Sequence, residues 1–190
     1  LFIVGGSFFS NSADRGGAIY IAGAPIGNSV LLDGVTFQLN SSDGTDSADG
    51  GGAIYIQNAD AGAIISIVAG LFGGPLLGNT AERRGGAIYN QSDGGLINTD
   101  LGAFLSGGIV GCDFTGNTAN GPSGADGLGG AIYNQGNLHV LNSTFDGNTS
   151  TNSSGGAIGD NQMVSRSLVI SNSTFNGNDA ADNGGALAML

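Results

Sequence analysis

The chain has 190 residues and a formal net charge of −11 at pH 7, and its four basic residues are all arginine. Because phosphate contacts require Lys and Arg, this balance argues against nucleic acid and against an anionic membrane surface as partners. Glycine occupies 38 positions and proline only 3, which excludes a protein of long helices. A single cysteine permits no internal disulfide, and no apolar stretch is long enough to predict a transmembrane segment in this chain.

Two sequence phrases alternate along the chain. Gly-Gly-Ala followed by Ile or Leu begins at Gly16, Gly51, Gly85, Gly129, Gly155 and Gly184. The second phrase, Phe-x-x-Asn, joins Phe8 to Asn11, Phe37 to Asn40, Phe114 to Asn117, Phe145 to Asn148 and Phe175 to Asn178, and in the third unit Leu76 and Asn79 take its place. Such repetition is typical of solenoids, in which each coil places the same residue over its neighbour.

Each unit contains three short strand-like runs in the same order. The fifth unit shows this most clearly, with GGAIYNQ, NLHVLNS and TFDGNTS separated by Gly, Asn and Ser corners. A β-sandwich has strands of this length but does not repeat one phrase per unit, and crossovers between parallel strands are right-handed by default. We therefore predict an all-β protein, a right-handed parallel β-helix of about six coils with three strands per coil. It is expected to form a single domain over residues 1–190, as a segment of a longer chain.

The second and third units are longer than the others. Their extra residues, 61–71 and 96–110, are apolar and predict a bulge or an extra strand pair, and the register of 57–75 and 91–113 is left open. The polar stretches 41–49 and 119–128 predict loops that project from one edge of the rod.

Three rows of apolar side chains are predicted to fill the core. They are the Ile or Leu of each GGA phrase, the Phe of each Phe-x-x-Asn phrase, and the residue five positions before it, such as Leu32, Ile109, Val140 and Ile170. The asparagine of the second phrase stands at a corner, where stacked amides can hydrogen-bond from coil to coil. We predict this ladder at Asn11, Asn40, Asn79, Asn117, Asn148 and Asn178.

The pairing of GGA(I/L/V) with FxxN resembles the repeat of chlamydial polymorphic outer membrane proteins, which also occurs in large autotransporter-like bacterial surface proteins. Both phrases match in five of six units between Phe8 and Leu187. The resemblance implies an extracellular β-helical passenger that serves adhesion or surface architecture. It points to the fold and the compartment more strongly than to any ligand.

All four tyrosines follow a GGAI phrase in consecutive units, at Tyr20, Tyr55, Tyr89 and Tyr133. If this position faces outward, the rings form an exposed stripe that binds a sugar ring or a partner protein. The alternative is that neighbouring rings stack on each other and stabilise the sheet.

Asp43, Asp46 and Asp49 lie three residues apart in one Gly-rich loop. Carboxylates and loop carbonyls are calcium ligands, so these residues are a candidate calcium loop, and calcium is the only cofactor under consideration. Their spacing matches neither an EF-hand nor the glycine-rich nonapeptide repeat. A solvated acidic loop is the simpler interpretation.

An enzyme has to be considered, because pectin-cleaving lyases and hydrolases also use this fold. Hydrolysis needs two facing carboxylates, yet the aspartates nearest to the strands lie at different registers: Asp33, Asp113, Asp146 and Asp160. We expect no catalytic residues. The four arginines (Arg15, Arg83, Arg84 and Arg166) are expected to offset acidic charge, Cys112 to be a small packed residue and His139 to point outward.

The sequence thus predicts a non-enzymatic, extracellular repeat protein of the cell surface. Two roles remain open for such a rigid rod: display and adhesion, with a surface glycan or protein as partner, or assembly of copies end to end into a sheath or fibre. The alternative is a polysaccharide-binding or polysaccharide-cleaving β-helix protein.

Overall fold

The computed structural model describes residues 1–23, 29–57, 64–74, 77–91, 108–123, 127–161 and 167–190. Within these ranges the chain forms short strands that recur in groups of four, and each group is one coil. The first three coils comprise β1 (Phe2–Val4), β2 (Ser7–Phe9), β3 (Ser12–Ala13), β4 (Ile19–Ala22), β5 (Ser29–Asp33), β6 (Thr36–Gln38), β7 (Ser41–Ser42), β8 (Ile54–Gln57), β9 (Ile64–Val68), β10 (Leu71–Gly73), β11 (Thr80–Ala81) and β12 (Ile88–Gln91). The last three comprise β13 (Gly108–Val110), β14 (Asp113–Thr115), β15 (Thr118–Ala119), β16 (Ile132–Asn134), β17 (Leu138–Leu141), β18 (Thr144–Asp146), β19 (Thr149–Ser150), β20 (Ile158–Asp160), β21 (Leu168–Ser171), β22 (Thr174–Asn176), β23 (Asp179–Ala180) and β24 (Leu187–Met189).

Every strand pairs in parallel with the corresponding strand of the next coil. The described residues therefore form four six-stranded sheets, called sheets 1 to 4 after the first strand of each, β1 to β4. This confirms the predicted parallel β-helix, with six stacked strands that amount to about five turns at ~4.8 Å per coil. The prediction of three strands per coil is wrong. The third predicted run, TFDGNTS in the fifth unit, contains two strands, that of sheet 2 and the two-residue strand of sheet 3, and the corner asparagine lies between them.

The main core runs along the rod between the sheets. The predicted row after GGA is in register from Ile19 to Leu187, and Leu32 lies opposite Ile67 in the row from sheet 1. Most of these side chains are fully buried. Because each buried Leu, Ile or Phe contributes about 1.5–3 kcal/mol, the rows of the core supply most of the driving force for folding.

The phenylalanines of sheet 2 form a continuous stack through six coils. Neighbouring rings are nearly parallel, with centroids 4.6–5.1 Å apart, from Phe8 through Phe37, Phe72, Phe114 and Phe145 to Phe175. In the third coil the stack contains Phe72, so the assignment of this position to Leu76 is wrong; Leu76 itself lies outside the described residues. Because four additional residues separate Phe72 from Asn79, the Phe-x-x-Asn phrase is not recognisable in this coil.

The long second unit keeps the ordinary register. Strand β9 lies between β5 and β13, with Ile67 opposite Leu32 on one side and Ile109 on the other. Residues 64–71 thus supply regular strands of sheets 1 and 2, and the expected bulge or extra strand pair is absent from this described part. Of the third unit, residues 92–107 lie outside the described ranges, and β13 returns in register at Gly108.

Glycine is needed at both positions before each strand of sheet 4, for a different structural reason at each. Gly85 has a φ of +61°, a left-handed conformation that strains other residues. Gly86 instead lacks space: a Cβ atom there would lie 2.1 Å from the carbonyl oxygen of Gly130 in the next coil. The first glycine therefore turns the chain, and the second allows adjacent coils to approach.

Candidate functional site

The corner asparagines form an uninterrupted ladder along the rod. Each Nδ2 donates to the Oδ1 of the asparagine in the next coil, at 2.8–3.0 Å over five successive joints. The members are the six predicted residues Asn11, Asn40, Asn79, Asn117, Asn148 and Asn178. Asn40, Asn79, Asn117 and Asn148 are fully buried.

The ladder uses the whole hydrogen-bonding capacity of a side chain such as Asn79. Its Nδ2 donates to Asn117 Oδ1 at 3.0 Å and to the carbonyl oxygen of Phe37 at 2.9 Å. Its Oδ1 accepts from both the Nδ2 and the backbone N–H of Asn40. Two donors and two lone pairs are thus satisfied, which removes the cost of burying an amide.

A second, shorter polar ladder was missed by the sequence analysis. Asn90 Nδ2 donates to Asn134 Oδ1, and Asn134 Nδ2 donates to Asp160 Oδ1, both at 2.7 Å. These three buried residues occupy the position that Ile21 and Ile56 hold in the first two coils. The signal was the change from IYI to IYN and IGD after GGA, which places polar groups in an apolar row.

The tyrosines form a second, smaller buried cluster on the side of sheet 4 opposite to the main core. Tyr55, Tyr89 and Tyr133 are fully buried together with Leu128. Adjacent rings meet edge to face, with centroids 4.7 and 4.9 Å apart, a favourable geometry for aromatic pairs. Leu128, at the end of the polar stretch 119–128, thus packs against the rings.

The predicted exposed aromatic stripe is therefore wrong for three of its four members. Only Tyr20, in the first coil, is open to solvent, with 48 % of its surface exposed. Alternation along the strand turns the tyrosines away from the main core, but the chain between sheets 3 and 4 covers that face. The alternative of mutually stacked rings describes the structure.

Arginine and glutamine side chains satisfy the polar ends of the tyrosine cluster. Arg84 Nη1 donates to Tyr89 Oη at 3.1 Å, and its guanidinium carbon lies 5.0 Å from the centroid of the Tyr133 ring, within cation–π range. Tyr89 Oη donates to Gln135 Oε1 at 3.0 Å. Burial raises the pKa of Tyr89 to about 12, although the positive charge of Arg84 opposes this shift.

Two aspartates of the candidate calcium loop accept hydrogen bonds from protein groups. Asp49 is buried, and its Oδ1 accepts from Arg15 Nε at 2.8 Å, while its Oδ2 accepts from the backbone N–H of Asp46 at 2.8 Å. Asp43 Oδ2 accepts from the Ser12 hydroxyl of the preceding coil. Across the described ranges, no group of three or more His, Cys, Asp or Glu side chains is arranged to hold a metal ion.

The remaining candidate residues are two arginines, His139 and Cys112. Arg83 donates to the carbonyl oxygen of Thr45, whereas Arg166 lies outside the described residues. His139 is half-buried between the inward-facing Leu138 and Val140, so it points outward as predicted. Cys112 is fully buried, its sulfur accepts from the Gly70 N–H, and desolvation raises the pKa of its thiol to about 12.

The four strand-adjacent aspartates lie on three different sheets. Asp33 ends a strand of sheet 1, Asp113 and Asp146 lie on strands of sheet 2, and Asp160 is buried at the end of its strand in sheet 4. These aspartates were expected at different positions within the repeat, and the structure places them on different sheets or in different coils.

One protein-family model matches part of the chain. Residues 34–57, 76–91 and 111–135 match the model described as Chlamydia polymorphic membrane protein (Chlamydia_PMP) repeat. These three segments are similar to that repeat, which confirms the resemblance predicted from the two phrases. Each matched segment ends at or directly after a strand of sheet 4.

No curated protein and no solved structure shows a significant match to the chain. Among the residues that the structure describes, no helix has both the length and the apolar character needed to cross a membrane.

Proposed function

We propose that the protein is a non-catalytic structural rod that holds binding surfaces at a fixed spacing on a bacterial cell surface. The continuity of its stacked rows supports this role most directly: the phenylalanine stack and the asparagine ladder both pass through all six coils without a break. Close packing of identical side chains between coils resists bending, because interiors at this density have low compressibility.

The proposed surface location rests on the family. The family name associates the repeat with membrane proteins of Chlamydia, and display outside the cell is our extension of that association. A net charge of −11 is compatible with a solvent-exposed rod and disfavours binding to anionic lipids.

Surface labelling tests the location. Antibodies raised against the exposed loop at residues 45–47 should label intact cells of the source organism, and external protease should remove that signal. A cytoplasmic protein serves as the control for cell integrity. Labelling that requires permeabilised cells would contradict the proposed location.

Incubation with polysaccharides tests the absence of catalysis. We expect no release of unsaturated or reducing ends from polygalacturonate or neutral glucans, with or without calcium. Product release that disappears in an Asp113→Asn or Asp146→Asn variant, but not in Asp33→Asn, would establish the polysaccharide-cleaving alternative.

End-to-end assembly is a second candidate, which the direction of the asparagine ladder favours. At every internal joint the backbone N–H of one corner asparagine donates to the Oδ1 of the asparagine in the next coil, so all joints share one contact and one direction. Coils of two separate copies can therefore join through the same contact.

Sedimentation velocity over a range of protein concentrations tests the assembly. Stacking predicts species that grow with concentration and become shorter in Asn11→Leu, whereas the exposed control Asn152→Leu leaves them unchanged. A monomer at every concentration would rule out assembly of this chain by itself, and the role as a spacer rod would be unaffected.

A further inference from the structure

The outer face of sheet 2 contains a groove in the middle of the rod. It has a volume of about 640 Å³ and extends from the second coil to the sixth. Residues that line it include Gln38, Leu71, Asp113, Thr144, Asp146 and Asn176. Four coil spacings of ~4.8 Å make it about 19 Å long.

The third coil contributes Gly73 and Gly74 to the lining of the groove. The backbone N–H of Gly74 donates to the Thr115 carbonyl oxygen at 3.1 Å, and the carbonyl oxygen of Leu77 accepts from the Leu39 N–H at 3.2 Å. Gln38 Nε2 donates to the Gly73 carbonyl oxygen at 3.2 Å. Gly73, Gly74 and Leu77 are thus hydrogen-bonded to the coils on either side.

The floor of the groove repeats polar side chains along the rod axis. Asp113, Thr144 and Thr174 follow one another in register, and so do Thr115, Asp146 and Asn176. Asn176 Nδ2 donates to Asp146 Oδ1 at 2.7 Å, which fixes the orientation of that carboxylate. In each of the last three coils, both rows thus present one hydroxyl, amide or carboxylate group, at a spacing close to the length of one pyranose unit.

The charge of the lining restricts the ligand. Its two carboxylates, Asp113 and Asp146, have no basic residue beside them among the residues that line the groove. Uronic acids and sulfated sugars are therefore repelled. Neutral sugar hydroxyls, which both donate and accept, match every polar group of the floor.

An extended peptide fits this surface less well. Strands β10, β14 and β18 are paired on both sides, so their backbone groups are not available for strand addition. Leu71 is the one large apolar side chain among the lining residues, which leaves little to recognise alternate peptide side chains.

We propose that this groove binds an extended, uncharged glycan chain that lies along the rod axis. Binding is a property of the isolated rod and does not depend on its location or on end-to-end assembly. The proposal goes beyond the spacer function, which survives if no glycan binds.

Titration calorimetry with defined hexasaccharides tests the proposal. We expect at least one of cellohexaose, chitohexaose and mannohexaose to bind at least about tenfold more tightly than hexagalacturonate. The corresponding disaccharide should bind more weakly than the hexasaccharide, because it reaches fewer coils. Failure of all three neutral chains to bind would overturn the proposal, as would binding only of an extended neutral peptide.

Two matched pairs of variants locate the site. Thr144→Trp fills the groove and should abolish binding, whereas Thr149→Trp on the outside of sheet 3 should not. Asp146→Asn should raise the affinity for hexagalacturonate, and Asp33→Asn on sheet 1 should leave it unchanged. Binding that persists in a Thr144→Trp variant with an unchanged circular dichroism spectrum would place the glycan elsewhere and overturn the assignment.

Discussion

Single residues of this rod are constrained most strongly where a polar group is buried. The amide of Asn117 is fully buried and makes bonds to two coils, accepting from Asn79 and donating to Asn148 and to the Phe72 carbonyl oxygen. Asn is suited to this position because its planar amide offers two donors and two lone pairs on a short stem. An apolar side chain of similar size would leave several backbone groups unpaired.

Replacement of Asn117 by Ala should lower the free energy of unfolding by about 2–4 kcal/mol, since it leaves the Asn79 N–H and the Phe72 carbonyl oxygen without a partner. Asn152 is exposed and donates only to loop carbonyl oxygens, so Asn152→Ala should cost less than about 1 kcal/mol. Denaturant unfolding of both variants measures the difference. Equal losses would show that the ladder does not stabilise the fold.

The buried tyrosine cluster predicts sensitivity to alkali. The pKa of Tyr89 is raised by burial to about 12, against about 10 in an unfolded chain. Between these values the unfolded chain loses the phenolic proton while the folded chain keeps it. This contribution to stability is therefore complete below about pH 10 and declines as the pH rises towards 12.

The variant Tyr89→Phe removes this titration. Its unfolding free energy should fall less steeply than that of the parent between pH 10 and 12, by about 1 kcal/mol per pH unit. Below pH 9 the two curves should run parallel, which provides an internal control. A parallel course up to pH 12 would show that Tyr89 ionises equally in both states.

Strands and corners follow from the sequence wherever a phrase recurs intact. The rows that contain Ile54 and Phe37 were predicted because apolar residues return at fixed places in each unit. The phenylalanine position of the third coil was assigned wrongly because an insertion separates Phe72 from Asn79. Ile67, five positions before Phe72, indicates the correct register. Which strand residues face the main core was also predictable, from their alternation along the strand. The burial of the tyrosines depends on contacts between distant segments, and no local pattern encodes such contacts.

The glycine pair offers a test at the level of the strand. In Gly86→Ala the new Cβ would lie 2.1 Å from the Gly130 carbonyl oxygen, so the coils must separate, and we expect a loss of more than about 4 kcal/mol. The control is Gly147, which has a positive φ of +61° but has no atom within 4 Å of its Cβ position. Gly147→Ala should therefore cost only about 1–2 kcal/mol, from backbone strain alone. Thermal unfolding distinguishes the two, and similar losses would exclude inter-coil contact as the reason for the second glycine.

At the scale of the whole molecule, acidic side chains are paired with groups of neighbouring coils. Asp49, the most buried member of the candidate calcium loop, is paired with Arg15 of the preceding coil. Such a pair joins two coils through a partly buried contact, and a cation would have to compete with the guanidinium for the same oxygen.

Calcium should therefore leave the unfolding temperature unchanged, as should a chelator. Scanning calorimetry with millimolar calcium, with EDTA and with magnesium measures this. A ligand that binds only the folded state raises the unfolding temperature, so a rise specific to calcium and lost in Asp46→Asn would restore the calcium loop.

The common register of all four sheets also determines which changes of length the rod tolerates. Every joint of the asparagine ladder is chemically the same, so the corner of one coil is an acceptable neighbour for any other. Duplication or loss of one entire coil through recombination between repeats leaves the asparagine and phenylalanine rows continuous. A shift by part of a coil, by contrast, displaces the amide, phenyl and aliphatic rows together. Such genes should therefore vary in length by whole coils, and the molecule can lengthen without evolving a new core.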